Sequence, residues 1–393
     1  MRVVGVIAEY NPFHRGHAHQ LEQARLQAHA DAVVVVMSSV FTQRGEAALL
    51  SPAERARMAL HAGADAVFAL PAAWAVRDAE HFALGGAAIL SGLGCDAISF
   101  GTEQTDLHGL KQAAALLEQP DEAFQADIQS RLAAGIPYPA AMSAAMEQAL
   151  PGCGALLEAP NSTLAVCYLR ALLRLGAEME AVPVRRIGGY HDSAMDVPMP
   201  SATALRGAIL RGDWQNVRDA MPQEAFAILR DAAAGGRLHR PDALDSALLY
   251  RLRTMTTAEY AALPDLSEGI EHRLMAAAQS AVSREALLQA AKTRRYPYAR
   301  LSRLAAHALL GMTTQQLTLQ PMPQFAWLLG FRRDSQGIFA HFKEKGRLPI
   351  LGKAADLNRH DPAIAAELKA YDIWALGAGL PAGLALTQGV AVI

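Results

Sequence analysis

The chain has 393 residues, of which 52% are hydrophobic, and its formal net charge is −2 at pH 7. This length predicts two or three domains, and the lack of any apolar run of bilayer-spanning length argues against a membrane protein. The nearly balanced charge excludes a uniformly basic surface, so any nucleic-acid surface must be local. Three cysteines without metal or redox spacing, and a first strand that leaves no room for a signal peptide, indicate a cytoplasmic protein with buried thiols.

The first predicted element is a strand at Val3–Ile7, a short run rich in β-branched residues. A tight loop at 8–17 connects it to a helix whose apolar residues recur at helical spacing. The N–H groups and partial positive charge of that helix N-terminus suit an anion such as phosphate. His14 and His17 flank Gly16 there, in the pattern H-x-G-H. After a first strand, this pattern resembles that of the HxGH nucleotidyltransferases.

These histidines admit two other interpretations. They fit ordinary surface side chains at a helix start, or, together with His19, part of a metal site. The metal site is the weaker of the two, because no cysteine and no nearby Asp or Glu completes a ligand set. We predict His14 and His17 as catalytic residues and no metal site made by protein side chains.

The alternation of strand and helix continues along the first half of the chain. Further strands are predicted at 31–38, 66–70, 97–101 and 182–187. The helix after the second strand has a clear start, with Ser51 as N-cap, Pro52 at the first position and Glu54 completing a capping box. This order predicts βαβ units and an α/β, Rossmann-like parallel sheet, with ligands bound beyond the carboxyl ends of the strands.

Two regions depart from this alternation. Residues from about 106 to 160 are predicted as a helical insertion, and the chain from about Trp214 onward is mostly helical, with short strands at 348–350 and 390–393. We therefore predict a nucleotidyltransferase-like domain at 1–215 and a mainly helical domain at 216–393.

A second phosphate-binding signal follows the last strand of the first domain. Ser201, Ala202 and Thr203 open a helix, and Arg206 follows them. By itself, a hydroxyl at a helix start is an ordinary N-cap. HxGH transferases resemble one another in a late S-[ST]-T-x-x-R segment that holds triphosphate, from which Ala202 is a departure. The position after the last strand favours phosphate binding by Ser201, Thr203 and Arg206.

These two motifs define the reaction type of the superfamily, in which an acceptor oxygen attacks the α-phosphorus of ATP and pyrophosphate leaves. Charge gathers on the phosphoryl oxygens in the transition state. Fixed positive groups are therefore expected at the site, namely the two imidazoles, Arg206 and a Mg²⁺ ion, together with the N–H groups of the helix.

The resemblance extends beyond the superfamily to the bacterial tRNA(Met) cytidine acetate ligases. Similar segments lie at 5–17, 37–46, 100–103, 160–161, 186–192, 295–304, 329–331 and 349–353. The resemblance implies that acetate and ATP give acetyl-adenylate and pyrophosphate. The exocyclic amine of the wobble cytidine in elongator tRNA(Met) then takes the acetyl group and AMP leaves. The expected ligands are thus ATP, Mg²⁺, acetate and tRNA, and no protein partner is predicted.

The same resemblance implies which residues bind ATP. They are Ile7, Ala8, Glu9, Tyr10, Asn11, Pro12, Phe13, His14, Arg15, Gly16, His17, Ala18, His19, Gln20, Gly101, Asn161, Arg186 and Ile187, in addition to the phosphate-binding residues above. Without the family, Gly101 would be an ordinary turn glycine, Asn161 an N-cap and Arg186 a solvated arginine.

The helical domain, implied to bind tRNA, carries a basic cluster that includes tyrosines. The residues predicted to bind RNA are Arg294, Arg295, Tyr296, Arg300 and Arg303. Arginines supply phosphate contacts, and a tyrosine ring supplies a platform for an unstacked base. A solvated charged face is the alternative interpretation of this cluster.

Two other functions stay open from the residues. A small-molecule adenylyltransferase, making a dinucleotide or an activated headgroup, would explain the H-x-G-H pattern but would leave the basic helical domain without a role. A non-catalytic RNA-binding protein is the other alternative. The intact His14, Gly16, His17 and Arg206 argue against it.

Overall fold

The computed structural model describes residues 1–186, 199–267 and 269–393. Within these residues the strands are β1 Val3–Ala8, β2 Ala32–Ser38, β3 Ala66–Leu70, β4 Ala97–Thr102, β5 Glu180–Arg185, β6 Ala326–Phe331, β7 Ile350–Leu351 and β8 Ala391–Val392. They form one sheet in the order β5-β4-β1-β2-β3-β6-β7, with β8 paired to β6.

Helices cover both faces of this sheet and make up most of the second half of the chain. They are α1 Arg15–Gln27, α2 Pro52–His61, α3 Ala72–Ala75, α4 Ala79–Gly92, α5 Leu107–Glu118, α6 Glu122–Ala133, α7 Tyr138–Ala149, α8 Pro160–Leu175, α9 Ala202–Arg211, α10 Trp214–Ala220, α11 Gln223–Ala234, α12 Asp245–Thr254, α13 Thr257–Ala261, α14 Ile270–Ser280, α15 Arg284–Ala291, α16 Tyr298–Leu310, α17 Thr314–Thr318, α18 Ile338–Lys345, α19 Pro362–Gly377 and α20 Leu384–Thr387.

The first five strands are parallel, which confirms the predicted α/β sheet. The β-branched run of β2 is buried along its whole length, as expected for a strand covered on both faces. The predicted capping box of α2 is present, with the Ser51 and Glu54 side chains bonded reciprocally to backbone N–H groups. Strand order reverses between β1 and β4, so the crevice at their carboxyl ends is the switch point where such sheets bind ligands.

The sheet continues with strands from the end of the chain. β6 lies antiparallel beside β3, with Phe331 opposite Ala66, and both β7 and β8 pair with β6. The sheet therefore takes strands from both sides of residue 215, the boundary predicted between two domains. β6 was not predicted, because it is a short apolar run that follows a long helical region.

Side chains pack into three hydrophobic clusters. Val4 and Val6 of β1 belong to a cluster on one face of the sheet, while Val3 and Ile7 belong to another on the opposite face, because successive residues of a strand alternate. The third cluster lies among helices α12 to α16. Residues 248–308 thus have a core of their own beside the sheet.

In the insertion, α5 packs against α8, and α6 packs against α7. Cys95, Cys153 and Cys167 are buried and not in disulfides, which confirms the expected buried thiols. In the described part of the chain, none of the helices has the combination of length and apolar character that a membrane span requires.

Candidate active site

A cavity of about 470 Å³ lies at the carboxyl ends of β1 and β4. Most of the residues predicted to bind ATP line it: Ile7, Ala8, Glu9, Tyr10, Asn11, His14, His17, Gln20, Gly101, Asn161, Arg186, Ser201, Thr203 and Arg206. Other predicted residues of the loop and helix lie outside its wall: Pro12, Phe13, Arg15, Gly16, Ala18 and His19. Ile187 falls outside the described residues. The two motifs, almost 190 residues apart in sequence, thus meet at one cavity.

The two histidines form a capping box at the start of α1. His14 Nδ1 accepts a hydrogen bond from the Gly16 N–H at 3.1 Å, and His17 Nδ1 accepts one from the His14 N–H at 3.2 Å. A neutral imidazole whose Nδ1 accepts carries its proton on Nε2, so we assign that tautomer to both rings. The rings stack with their centroids 3.6 Å apart. Each histidine therefore offers one Nε2–H donor.

The surroundings of both imidazoles favour their neutral form at pH 7. Burial lowers the pKa of His14 to about 3, with a smaller contribution from the Arg186 cation. Burial is also the main cause that holds the pKa of His17 well below its usual range, and the nearby His14 and Arg186 lower it further. These shifts disfavour the positive charge expected on the two rings, because desolvation and a nearby cation both oppose protonation of an imidazole.

Two aromatic side chains pack against His17. The rings of Tyr10 and Phe13 are buried, and their centroids lie 4.8 Å and 5.5 Å from that of His17. Phe13 thus packs against a catalytic candidate instead of lining the cavity. A Cβ at Gly16 would lie 3.0 Å from the His14 ring, which explains the glycine between the two histidines.

Arg206 connects the second motif to the first. Its Nη1 donates to the Asn11 carbonyl oxygen at 2.7 Å, and its Nη2 lies 3.4 Å from a Glu46 carboxylate oxygen and 3.3 Å from Thr203 Oγ1. Ser201 is the N-cap of α9, since its Oγ accepts from the Ala204 N–H at 3.1 Å. Ser201 therefore both caps α9 and lines the cavity.

Asn161 is engaged by a neighbouring carboxylate. Its Nδ2 donates to Glu103 at 2.5 Å, while the other Glu103 oxygen accepts from the Ser162 N–H and hydroxyl. Glu103 thus satisfies the start of α8, so Asn161 is not itself the N-cap. Nearby, a Cβ at Gly101 would lie 3.2 Å from Arg186 Cγ, so glycine gives this arginine room at the end of β4.

Several residues of the wall were not predicted as ligands. They are Thr42, Gln43, Arg44, Glu46, Ala79, Phe82, Phe100, Pro160, Leu164, Tyr168, Ala202, Tyr298 and Ala299. The first four lie in the loop after β2, and the polar sequence of that loop was a signal that could have identified them. Glu9 Oε1 accepts from the Gln43 N–H at 2.7 Å, and burial raises the pKa of Glu9. The wall thus combines a second polar loop with part of α16.

A buried arginine supports the loop from beneath. Arg55 is fully buried in α2 and donates to the carbonyl oxygens of Glu9 at 2.7 Å and Ser38 at 2.9 Å, and also to those of Leu50 and Ser39. Burial lowers the pKa of Arg55 to about 10. These bonds tie the ends of β1 and β2 together. This role of Arg55 could not be predicted, because its local sequence does not distinguish it from any other arginine in an amphipathic helix.

Comparisons with known proteins agree with this geometry. The family model described as HIGH Nucleotidyl Transferase matches residues 1–381. The tRNA(Met) cytidine acetate ligase of Geobacillus sp. (strain WCH70) is 35% identical over 378 residues, covering 94% of this chain and 93% of that protein. The ligase of the same name from Bacillus subtilis (strain 168) is 33% identical over 390 residues, covering 96% and 92%. This chain belongs to the tRNA(Met) cytidine acetate ligase family.

Solved structures of the family share the whole fold. Apo TmcAL of Thermotoga maritima superposes with a TM-score of 0.93 at 27% identity, covering 100% of both chains. TmcAL of the same organism bound with alpha-thio ATP has a TM-score of 0.88 at 28% identity, covering 96% of this chain and 95% of that one. The prediction of a ligase with a nucleotidyltransferase fold is confirmed.

The structure divides the residues predicted to bind RNA. In this family member Arg294 and Arg295 are exposed, whereas Arg300 donates to the Asp265 carbonyl oxygen, at 3.1 Å from Nε. Arg303 is largely buried and lines the cavity beside Tyr298. Tyr296 is only 5% exposed and belongs to the core of α12 to α16. The prediction that Tyr296 stacks on a base is therefore wrong, because its ring is covered by protein.

No group of three or more His, Cys, Asp or Glu side chains that could hold a metal ion occurs among the residues that the structure describes. The cavity wall nevertheless contains two carboxylates, Glu9 and Glu46. Mg²⁺ commonly binds one or two carboxylates together with substrate phosphates and water. The donor set therefore fits an ion that arrives with a nucleotide.

Proposed function

We propose that this ligase acetylates the wobble cytidine of elongator tRNA(Met) through acetyl-adenylate. The observation that carries the proposal is the convergence of two Nε2–H donors and Arg206 on one cavity. Such groups stabilise charge on phosphoryl oxygens. The names of the family members and the alpha-thio ATP bound by the Thermotoga maritima relative support the same chemistry.

In the first step, an acetate oxygen attacks the α-phosphorus of ATP. The new O–P bond forms while the bond from the α-phosphorus to the bridging oxygen breaks, and pyrophosphate leaves with that electron pair. His14 and His17 donate to phosphoryl oxygens, and Arg206 holds the phosphate chain. Mg²⁺, held by ATP phosphates with Glu9 or Glu46, would neutralise charge there.

In the second step, the cytidine amine nitrogen attacks the acetyl carbon. An N–C bond forms, the bond from the acetyl carbon to the AMP oxygen breaks, and AMP leaves with the electron pair. The nitrogen loses one proton, for which the cavity wall offers the Glu9 and Glu46 carboxylates. Exposed Arg294 and Arg295 would bind tRNA phosphates. This substrate supports a cytoplasmic location.

The experiment combines the two steps. Pyrophosphate release is measured with ATP and Mg²⁺, with and without acetate, and acetylcytidine in elongator tRNA(Met) is then measured by mass spectrometry. We expect pyrophosphate release to require acetate, and we expect acetylcytidine to form only when ATP and acetate are both present. If a phosphorylated small acceptor supports faster release than acetate, the protein is a small-molecule adenylyltransferase instead. If neither reaction occurs while tRNA binds, the protein is a non-catalytic binder.

A further inference from the structure

A second cavity, of about 310 Å³, adjoins the first. Glu46, Thr203, Arg206 and Tyr298 belong to the walls of both cavities. A ligand in the second cavity would therefore lie next to whatever is bound at the H-x-G-H motif. Its volume lies at the lower end of the range typical of small-ligand pockets, roughly 300 to 1,000 Å³.

The wall of the second cavity combines apolar sides with a few polar groups. Leu244 and Leu248 are buried there, and Leu309 is half-buried. Arg284 and Glu285 supply a donor and an acceptor. Sites that hold a flat, polar-edged molecule have this composition, with apolar contact for its faces and polar groups for its edge.

Existing hydrogen bonds orient those polar groups. Arg284 Nη2 donates to the Gly45 carbonyl oxygen at 3.2 Å and to Ser302 Oγ. The Tyr298 hydroxyl donates to Glu285 Oε2 at 2.6 Å. Because these side chains are already positioned, the ligand would not need to order them.

We propose that the second cavity binds the acceptor nucleoside, a pyrimidine turned out of an RNA loop, while the first cavity holds the adenylate. This inference rests on the proposed function, which requires a base beside the activated acetyl group. Unpaired loop bases are recognised by stacking and by contacts to their polar edges. Arg284 would donate to the carbonyl or ring nitrogen of cytosine, and the shared wall would bring the amine close to the first cavity.

Two competing occupants are less suited to the cavity. Acetate alone would leave most of 310 Å³ unfilled and would not use the apolar sides. A second triphosphate would need the H-x-G-H donors, and both histidines line the first cavity only. A small regulatory molecule is the remaining rival, and the experiments below separate it from the nucleoside.

The first experiment fills the cavity with larger side chains. Leu309→Trp occupies its interior, and Leu210→Trp narrows its mouth, since Leu210 lines the cavity while being 58% exposed. Leu173→Trp is the matched control, an exposed leucine of another helix outside both walls. Each variant is assayed for acetate-dependent pyrophosphate release and for acetylation of elongator tRNA(Met), after its thermal midpoint has been checked.

We expect both cavity variants to reduce tRNA acetylation at least tenfold while acetate-dependent pyrophosphate release stays within twofold of the wild type, and the control to change neither. Normal acetylation by a folded Leu309→Trp and a folded Leu210→Trp would overturn the assignment. An equal fall in both reactions would also overturn it, because the cavity would then belong to the adenylate site or to a regulator of it.

A second experiment does not depend on turnover. An anticodon stem-loop carrying a photoreactive pyrimidine at the wobble position is cross-linked to the wild-type protein, and the attached peptides are identified by mass spectrometry. We expect cross-links to residues of the second cavity, such as Phe41 or Leu309. Cross-links confined to other surfaces would overturn the inference. A protein that makes no acetyl-adenylate but gives these cross-links would contradict the proposed function alone.

Discussion

Arg206 donates a hydrogen bond from Nη1 to the main-chain carbonyl oxygen of Asn11, 2.7 Å away and 195 residues earlier in the chain. This bond joins the segment that opens α9 directly to the H-x-G-H loop. Because the acceptor is backbone, the bond orients the guanidinium irrespective of the Asn11 side chain, which is itself bonded to the Leu49 N–H. Bonds within the protein thus already orient the Arg206 guanidinium, which is predicted to bind phosphate.

We predict that Arg206→Ala reduces acetate-dependent pyrophosphate release by about 100-fold, the size of loss typical when one preorganised donor is removed. Arg206→Lys keeps the charge but loses the fork that bonds Asn11 and Thr203 together, so we expect it to recover little of the rate. Arg211→Ala, an exposed arginine of the same helix, is the control. Near-normal release by both Arg206 variants would exclude this residue from phosphate binding.

His14 is the N-cap of α1 and is also predicted to be catalytic, which gives a second prediction. His14→Asn preserves an N-cap acceptor for α1 but lacks Nε2–H, so we expect a nearly unchanged thermal midpoint and at least about 100-fold slower pyrophosphate release. His14→Ala should be equally slow and also less stable, by about 1 kcal/mol. His17→Ala should likewise lose about 100-fold, whereas His19→Ala, outside the wall, should not. A normal rate in both His14 and His17 variants would contradict the catalytic assignment.

The neutral state of the histidines predicts the pH profile of adenylate formation. Burial lowers the pKa of His14 to about 3 and that of His17 in the same direction, so both stay neutral donors from pH 6.5 upward. We expect initial rates of pyrophosphate release at saturating ATP and acetate not to fall between pH 6.5 and 8.5. A requirement for imidazolium would instead cost about tenfold per pH unit above 6.5. Such a decline, in a protein still folded at pH 8.5, would refute the neutral-donor mechanism.

A buried carboxyl predicts a pH-dependent stability. Glu367 is 1% exposed, its Oε2 accepts from the Ala72 N–H at 2.6 Å, and burial raises its pKa from 4.5 to about 7. The unfolded chain loses this proton near pH 4.5 while the native protein keeps it. Stability from this group is therefore present below pH 4.5 and declines until pH passes 7, by about 3 kcal/mol.

Glu367→Gln keeps a neutral acceptor and removes this ionisation. We expect the free energy of unfolding in urea to rise relative to the wild type at pH 8 and to change little at pH 4.5. Glu122→Gln, at an exposed position of α6, is the control. An equal effect of Glu367→Gln at both pH values would show that its packing, and not its charge, decides stability.

The exposed arginines of the helical region supply the last prediction. We expect Arg294→Glu with Arg295→Glu to weaken tRNA binding and to flatten its salt dependence, by roughly 0.7 to 0.9 in the log–log slope for each phosphate that is no longer bound. Pyrophosphate release should stay near normal, because neither side chain lines the first cavity. Arg300 is left unchanged, since its bonds to Asp265 hold the fold.

The control for this variant reverses Arg57 and Arg218, two other exposed arginines, for the same change in net charge. Both proteins are compared by tRNA affinity at several salt concentrations and by thermal midpoint. Equal affinity and slope in the two double variants would mean that Arg294 and Arg295 make no specific contact with tRNA.

The candidate site was largely predictable where function depends on local pattern. The strand predicted at Val3–Ile7 and the helix start predicted at Gly16–His17 follow from β-branched residues, turn residues and helical spacing, and the structure has them at Val3–Ala8 and from Arg15. Their order places the H-x-G-H histidines at the carboxyl edge of a parallel sheet, and the same rule brings the Ser201 segment to that edge. Those conclusions need only short-range propensities and the handedness of βαβ units.

Burial and charge could not be obtained in this way, because both depend on contacts between residues distant in sequence. Tyr296 looked like an RNA-stacking ring beside arginines but packs inside a helical core. The histidines looked like cations, but desolvation beside Arg186 leaves them neutral. Local patterns thus predict the parallel strands β1 to β5 and most of the predicted residues that meet at their carboxyl edge. Which side chains remain open to a ligand, and which of them carry charge, depends on desolvation, and desolvation is set by the packing of the whole fold.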